Sequence, residues 1–356
     1  MTWNQTEVAR QLKIKYPIIL AGMAGGATTP ELVAAVSHAG GLGTLGAGYM
    51  TPEHVRLSIH KIRELTPLPF GVNLFIPERS AEMSDEKLRS MKEILKPYRE
   101  KLGIEGESVL GKVAESFEEQ AQVLLDEKVP VFSFTFGIPS KDLITEFKRR
   151  NIILIGTATT VREAQALEES GVDMIVGQGY EAGGHRGTFL ESTQRSLIGT
   201  MGLIPQITDY VSIPVIAAGG IMDGRGIAAA LMLGAKGVQL GTAFLTCEES
   251  GAHHAYKKAI AESTEESTVL TRSFSGKQAR GIENQFIREM ERYDSSILDY
   301  PIQNAITRDL RQAAAQRNNQ EFMSLWAGQA TRLSTEESAA AFMDRIIEET
   351  AKILSR

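Results

Sequence analysis

Eight short apolar segments, each followed by a turn and a helical pattern, constrain the fold of this chain more than any other feature. Most are continuously apolar rather than alternating, which is typical of strands buried on both faces of a parallel sheet. The longest interval between them holds a charged stretch, helical in pattern, at residues 80–126. The predicted strands are residues 17–23, 41–48, 70–76, 129–137, 151–159, 173–181, 214–221 and 237–245.

Eight consecutive strand–helix units predict an α/β fold, the TIM (β/α)8 barrel. A doubly wound sheet is the competing architecture, but the near-regular spacing of the strands favours a closed barrel. Helix starts are predicted at Thr29, Thr51, Thr160 and Asp223, because each places a capping oxygen before an apolar helical face.

The character of the chain changes after Leu245, where it becomes more polar and helical in pattern. We find no obvious strand in this part other than residues 269–274. We therefore expect a barrel over residues 1–247, with a helical insertion at about 80–126. Residues 248–356 are expected to form a helical C-terminal subdomain packed on the barrel mouth.

Composition excludes several classes of function. The chain has 38 Lys and Arg against 44 Asp and Glu, a net charge of −6, which argues against general nucleic-acid binding. Its one cysteine excludes internal disulfides and a cysteine-based zinc site. No apolar stretch is long enough to span a bilayer. The polar N-terminus has no apolar signal core, so a cytoplasmic location is expected.

Polar and glycine residues gather where predicted strands end, which is where TIM barrels carry their active sites. Asn73 lies within the apolar third strand and, if buried, its amide bonds either a ligand or a neighbouring strand end. Gln178 ends the sixth strand. His185 follows in a glycine-rich turn and can act as acid, base or charge partner, or simply bond the backbone. Glu181 is either a partner of His185 or a cap for the loop.

The ends of the last two strands predict a phosphate site. Gly219 and Gly220 follow the seventh strand, while Gly241 and Thr242 follow the start of the eighth. Backbone N–H groups at these two positions are the recurrent phosphate-binding element of TIM barrels. We therefore expect a phosphate-bearing ligand, and no metal site.

These segments together resemble the nitronate monooxygenases, formerly called 2-nitropropane dioxygenases. The resemblance rests on residues 17–26, 178–187, 217–220 and 239–242 and covers roughly residues 10–335. The strings at 181–187 and 323–329 are similar to the bacterial class I branch. The shorter Glu-x-Gly-Gly-His core also occurs in the flavin-dependent enoyl-acyl-carrier-protein reductases.

The resemblance implies a TIM barrel that binds FMN noncovalently, with His185 as the active-site histidine. In relatives that accept neutral nitroalkanes this histidine would remove the α-proton; in the bacterial branch it would position or electrostatically stabilise the nitronate. Many relatives carry proline where this chain has Gly22. The FMN-binding residues implied are Gly22, Met23, Asn73, Gln178, Gly183, Gly219, Gly220, Gln239, Leu240, Gly241 and Thr242.

The implied reaction is the oxidation of an alkyl nitronate, such as propionate 3-nitronate, by FMN and dioxygen to a carbonyl compound and nitrite. Tyr300, with Asn304 and either Thr307 or Arg308, shares a helical face that could receive the substrate carboxylate, and Trp326 lies nearby in sequence; a solvated helix is the alternative. An FMN-dependent NAD(P)H reductase of enoyl thioesters or quinones, and a flavin- or phosphate-binding sensor, are the competing functions. The oligomeric state is left open, with a homodimer as one option.

Overall fold

Each of the eight predicted strands is present, and all eight pair in parallel within one sheet. The structure is a computed structural model that describes residues 3–77, 84–106 and 109–355. The strands are shorter than the apolar segments because these segments continue into the turns. Strand β7 (Gly184–His185) belongs to a second sheet. The barrel strands are β1 (Ile18–Leu20), β2 (Gly43–Gly46), β3 (Phe70–Phe75), β4 (Val131–Thr135), β5 (Ile153–Ala158), β6 (Met174–Gln178), β8 (Val215–Ala218) and β9 (Gly237–Leu240).

The parallel sheet closes on itself. Its strands run in the order β1-β9-β8-β6-β5-β4-β3-β2. The two ends of this order meet where Leu20 N donates to Leu42 O and Leu42 N donates to Ile18 O, each at 2.9 Å. These bonds join β1 to the start of β2, so the predicted TIM barrel is confirmed.

The helices begin where the sequence predicted capping residues. The side chains of Thr29, Thr51, Thr160 and Asp223 each accept a bond from a backbone N–H of the first helical turn. The helices are α1 (Glu7–Leu12), α2 (Pro30–His38), α3 (Pro52–Leu65), α4 (Asp85–Lys101), α5 (Phe117–Asp126), α6 (Lys141–Arg149), α7 (Val161–Ser170), α8 (Thr200–Tyr210), α9 (Gly224–Met232), α10 (Thr242–Leu245), α11 (His254–Glu262), α12 (Gln285–Met290), α13 (Ile302–Ile306), α14 (Arg308–Gln316) and α15 (Ala339–Leu354).

The predicted insertion contains two helices with different surroundings. Helix α5 packs on α3 and β3, as the barrel helix before β4 does in this fold. Helix α4 instead shares a buried apolar cluster with the C-terminal part of the chain, where the Tyr98 ring meets Phe286 with centroids 5.2 Å apart. An ion pair between Arg99 and Asp309 ties α4 to α14. Residues 80–83 and 107–108 of the predicted insertion lie outside the described residues.

The C-terminal part contains a small antiparallel sheet as well as helices. Strands β10 (Thr268–Thr271) and β11 (Ala279–Ile282) pair with each other, and β11 also pairs with β7, placing Ala279 opposite His185. The sequence missed β11 because its four residues show no apolar alternation. The last helix, α15, packs on α2 and α9 of the barrel. Within the described ranges, no helix is both long and apolar enough to cross a membrane.

Candidate active site

A cavity of about 430 Å³ opens at the carboxyl ends of the barrel strands. Residues from the strand ends form its floor, while Arg311, Trp326 and Gly328 of the C-terminal part form its roof. The lining includes the predicted residues Gly22, Met23, Asn73, Gln178, Gly183, His185, Gly219, Gly220, Gln239, Gly241 and Thr242. The structure thus brings together side chains that are far apart in the sequence.

Leu240 lies outside the cavity. It is 1% exposed and packs in the core between the sheet and the helices, while its carbonyl accepts a bond of 2.9 Å from Ala21 N. Neighbouring residues of a strand point to opposite faces, so Gln239 and Leu240 cannot both face the cavity. The eighth predicted strand is also wrong at its end, because residues 242–245 form helix α10.

Gly22 and Asn73 meet at the ends of β1 and β3. A Cβ atom at position 22 would overlap the Asn73 Cβ, so glycine is required where many relatives carry proline. The Asn73 amide donates to Ser133 Oγ at 3.0 Å. Its Oδ1 receives no bond from the described residues, which leaves an acceptor for a ligand at the cavity floor.

The predicted phosphate site lies beyond β8 and β9. Gly219 and Gly220 have φ values of 114° and 71°, a conformation that side chains rarely adopt. Among the described residues, neither of their N–H groups has a backbone acceptor. Thr242 lines the same cavity, where its Oγ1 accepts from Gly328 N at 3.0 Å and no described acceptor takes its own proton. Unpaired donors of this kind suit a bound phosphate.

Glu181 caps the loop rather than contacting His185. Its carboxylate accepts bonds of 2.9 Å from Thr200 N and 2.8 Å from Thr200 Oγ1, at the first residue of α8. A carboxylate at a helix N-terminus satisfies free N–H groups and complements the helix dipole. Of the two roles left open by the sequence, the structure therefore shows the capping role.

Gln178 organises the turn that carries His185. Its Oε1 accepts from Arg186 Nη1 at 3.0 Å and from Gly187 N at 2.8 Å, while its Nε2 donates to His185 O at 3.0 Å. Arg186 is fully buried, and burial lowers the pKa of its guanidinium to about 10. Because this amide is bonded on both ends, the turn is held in one conformation.

Glu163 of α7 anchors the chain that follows this turn. Its carboxylate is fully buried and accepts from Thr159 N at 2.7 Å and Thr159 Oγ1 at 2.6 Å. The backbone N–H groups of Phe189 and Leu190 donate to the other oxygen at 2.6 and 3.0 Å. Four bonds onto one carboxylate fix the far end of the His185 loop to the barrel wall.

Replacing Glu163 by glutamine is expected to lower the free energy of unfolding by about 2–4 kcal/mol, because the new NH2 group would face donors that then have no acceptor. Chemical denaturation with urea measures the change through the midpoint. Glu169→Gln on the same helix is the control, since Glu169 is exposed. Its effect should stay within about 0.5 kcal/mol. Equal midpoints for the two variants would contradict the anchoring role.

His185 stands at the centre of the cavity wall, among aromatic rings. Its ring centroid lies 5.4 Å from Trp326, 5.9 Å from Phe136 and 6.0 Å from Tyr300. Its Nε2 is 2.8 Å from Ser275 Oγ. Since the Ser275 hydroxyl donates to Lys277 O, its oxygen accepts the Nε2 proton. This arrangement leaves the unshared electron pair on Nδ1.

Comparisons with known proteins assign the chain to a family. A family model described as nitronate monooxygenase matches residues 6–349. The chain belongs to the nitronate monooxygenase family. A probable nitronate monooxygenase of Staphylococcus haemolyticus is 50% identical over 99% of both chains, and one of Staphylococcus aureus strain Newman is 49% identical over 99% of both. The resemblance drawn from the motifs is thereby confirmed, and the protein is an enzyme.

Solved structures that resemble this nitronate monooxygenase family member support the family assignment. Nitroalkane oxidase from Streptomyces ansochromogenes matches with a TM-score of 0.91 and 39% identity, covering 98% of this chain and 99% of that one. FabK from Thermotoga maritima matches with a TM-score of 0.78 and 31% identity, covering 99% and 97%. Family and neighbour together support nitronate oxidation as the general activity.

The imidazole of His185 in this family member is neutral at ordinary pH. Burial, together with the nearby charges of Lys277 and Arg311, lowers the pKa of His185 to about 3. A lowered pKa means that the ring takes up a proton only as the pH falls toward 3, well below the usual value of 6.5. His185 therefore supplies no positive charge to a bound nitronate.

We expect turnover on preformed nitronate to show no ionisation of His185 between about pH 5.5 and 8, because the neutral form persists throughout this range. Initial rates recorded across this range, before the nitronate takes up a proton, measure the profile. An inflection near the usual histidine pKa that is lost in His185→Asn would contradict a neutral imidazole.

Several cavity residues escaped the sequence analysis. Tyr49 and Phe136 follow β2 and β4, so inspection of every strand end could have found them. Arg311 lies one helical turn beyond Thr307, on the face that the sequence assigned to Arg308. Arg308 is exposed and donates to Lys112 O instead. Ser275 carried no local signal, because only the fold brings it to His185.

The other C-terminal predictions have mixed outcomes. Tyr300 and Trp326 flank His185, and Asn304 lines the cavity. Thr307 is buried and donates to Phe274 O at 2.5 Å, so it serves the packing of the roof. No group of three His, Cys, Asp or Glu side chains suited to a metal ion occurs among the residues that the structure describes.

Proposed function

We propose that this enzyme oxidises alkyl nitronates with bound FMN and dioxygen, releasing a carbonyl compound and nitrite, with propionate 3-nitronate as a substrate. The observation that carries the proposal is that one cavity contains both a neutral, aromatic-flanked His185 and the N–H groups of Gly219 and Gly220, which have no acceptor among the described residues. A phosphate-bearing redox cofactor and a small anion could occupy the two sides of such a cavity.

The residues present fit FMN. The N–H groups of Gly219 and Gly220, with Gly241 and Thr242, would hold the phosphate. The remaining predicted contacts, Gly22, Met23, Asn73, Gln178, Gly183 and Gln239, line the path from there across the barrel mouth, where the ribityl chain and ring would lie. Leu240 is left out of the proposed set because its side chain faces the core. When bound, FMN supplies the oxidation of the nitronate, with dioxygen as the terminal oxidant.

The protein's own groups would bind and orient the substrate. The unshared pair on His185 Nδ1 could accept the α-proton of a neutral nitroalkane. Toward a nitronate, which has already lost that proton and offers only acceptor oxygens, the neutral ring would act through its packing contacts. The positive charge of Arg311, which acts on the histidine, favours an anionic substrate over a neutral one. The rings of Phe136, Tyr300 and Trp326 exclude water from this side of the cavity.

Steady-state assays of the purified flavoprotein test the activity. With propionate 3-nitronate and air we expect oxygen consumption together with nitrite release, and no such reaction without enzyme. The cofactor released by denaturation should migrate with FMN rather than with FAD or riboflavin. Absence of nitrite would reject the proposed reaction, while a different flavin would reject only the cofactor assignment.

A further inference from the structure

Arg311 is a cation in the cavity roof that has no acidic partner. Its Nε donates to Thr307 O at 3.4 Å, and its Nη2 donates to Asn304 O at 2.6 Å and Asn304 Oδ1 at 3.0 Å. The charged or ionisable groups that act on it are Tyr49 and Arg308, and no carboxylate in the described part of the chain pairs with it. The Nη1 atom therefore donates to no described acceptor.

Such an arrangement points to an anion that comes from outside the protein. Burial lowers the pKa of Arg311 to about 10, so the guanidinium stays charged at neutral pH. Arg311 is half-buried, and a charge partly withdrawn from water without a counter-ion is costly, so proteins keep one where a ligand supplies the partner. The three hydrogen bonds that Nε and Nη2 donate hold the guanidinium in place. Its Nη1 edge is therefore fixed in orientation beside the cavity that Arg311 lines.

The position of Arg311 separates it from the predicted phosphate site. Its positive charge partly offsets the rise in pKa that burial causes in Tyr49, which follows β2, and helps to lower the pKa of His185. The Tyr49 ring packs on Phe75 with centroids 5.3 Å apart, and Phe75 packs on Phe136 with centroids 4.8 Å apart. These three rings form a cavity wall at the ends of β2, β3 and β4. In the order of the closed sheet, β3 and β4 stand across the barrel from β8 and β9, which carry the glycines. An anion bound at Arg311 would therefore be separate from the phosphate expected at the glycines, and would lie on the side of the cavity that holds His185.

We propose that Arg311 binds a carboxylate at the end of the substrate remote from the nitronate group, so that the enzyme selects short acid nitronates over uncharged alkyl nitronates. The inference rests on the proposed function and names the specificity residue of that site. Guanidinium and carboxylate form charge-assisted, often paired hydrogen bonds, which give geometric selectivity as well as affinity. Arg311 is thus a substrate-binding residue.

Kinetics with two matched nitronates test the selectivity. Propionate 3-nitronate and propyl-1-nitronate differ in a carboxylate that replaces a methyl group. Arg311→Gln should raise KM for the first by about tenfold to a hundredfold, and change KM for the second by less than about threefold. Arg308→Gln on the same helix should leave both unchanged, because Arg308 is exposed and outside the cavity. Equal effects of Arg311→Gln on the two nitronates would overturn the proposal.

Binding measured without turnover separates this inference from the proposed reaction. Anaerobic calorimetry of the flavoprotein with 3-nitropropionate and 1-nitropropane gives the ratio of their affinities. The wild type should prefer the carboxylate by at least about tenfold, and Arg311→Gln should abolish the preference. A preference that persists in the variant, or is absent from the wild type, would overturn the role of Arg311 even if nitronates are oxidised.

Loss of the bonds to Asn304 and Thr307 could unfold the roof in Arg311→Gln, so Arg311→Lys is the second variant. Lysine keeps the charge and the apolar stem but not the planar fork. We expect an unchanged flavin content and melting temperature with a preference for 3-nitropropionate reduced by at least about threefold. An undiminished preference in a folded Arg311→Lys variant would show that charge alone, and not the guanidinium, selects the substrate, contradicting the proposal as stated.

Discussion

Asparagine in place of His185 is expected to lower kcat on propionate 3-nitronate by at least about tenfold while FMN stays bound, the scale expected for loss of a positioned polar catalyst. Asparagine is shorter than histidine, so its amide falls near the position of Nδ1, does not reach Ser275 Oγ, and presents no imidazole to the substrate. The aromatic neighbours of His185 lose a ring contact, whereas the glycines proposed for the phosphate are untouched. Stopped assays of nitrite and the absorbance ratio of flavin to protein measure the two effects.

His54→Asn is the matched control, because His54 is exposed on helix α3, outside the cavity. Its turnover and flavin content should equal those of the wild type. Full activity of His185→Asn would reject the proposed catalytic role. Loss of flavin in the same variant would instead assign His185 to cofactor binding.

Valine in place of Gly220 is expected to weaken FMN retention by at least about tenfold. The φ of 71° at this position strains any side chain, and a β-branched one most of all. A Cβ atom would also lie 3.3 Å from the Glu181 Cβ, so the two segments that border the proposed phosphate site would be forced apart. The flavin-to-protein ratio after dialysis measures the loss.

Gly171→Val separates crowding at the site from strain alone. Gly171 ends helix α7 with a φ of 92°, and a Cβ atom there meets nothing within 4 Å. This variant should lose stability to a similar degree but keep its FMN. An undiminished flavin ratio in Gly220→Val, or an equal loss in both variants, would contradict a phosphate site at Gly220.

The barrel was predictable because its signals are local. A continuously apolar segment followed by a turn and a capped helix specifies one strand–helix unit, and eight such units leave few ways to close a sheet. The same property explains one error, because periodicity alone could not show that residues 242–245 leave β9 as a helix. The alternation of a strand does imply that Gln239 and Leu240 face opposite sides, and the structure places the Leu240 side chain in the core.

The candidate site was predictable on one side of the cavity. Glycines and polar residues at the ends of β6, β8 and β9 stand out in the sequence because they interrupt apolar segments. The roof of the cavity was not predictable, because Ser275, Tyr300 and Arg311 come near His185 only through the packing of the C-terminal part on the barrel mouth. No spacing rule links residues 90 or more positions apart, so their roles depended on the structure.

Anaerobic mixing of the oxidised flavoprotein with propionate 3-nitronate shows whether the nitronate itself reduces the flavin. We expect the flavin absorbance at about 450 nm to change on mixing with the nitronate alone, and to stay constant with NADH or NADPH. Rapid bleaching by a nicotinamide, with no change on adding nitronate, would contradict this expectation and favour an NAD(P)H-dependent reductase of enoyl thioesters or quinones.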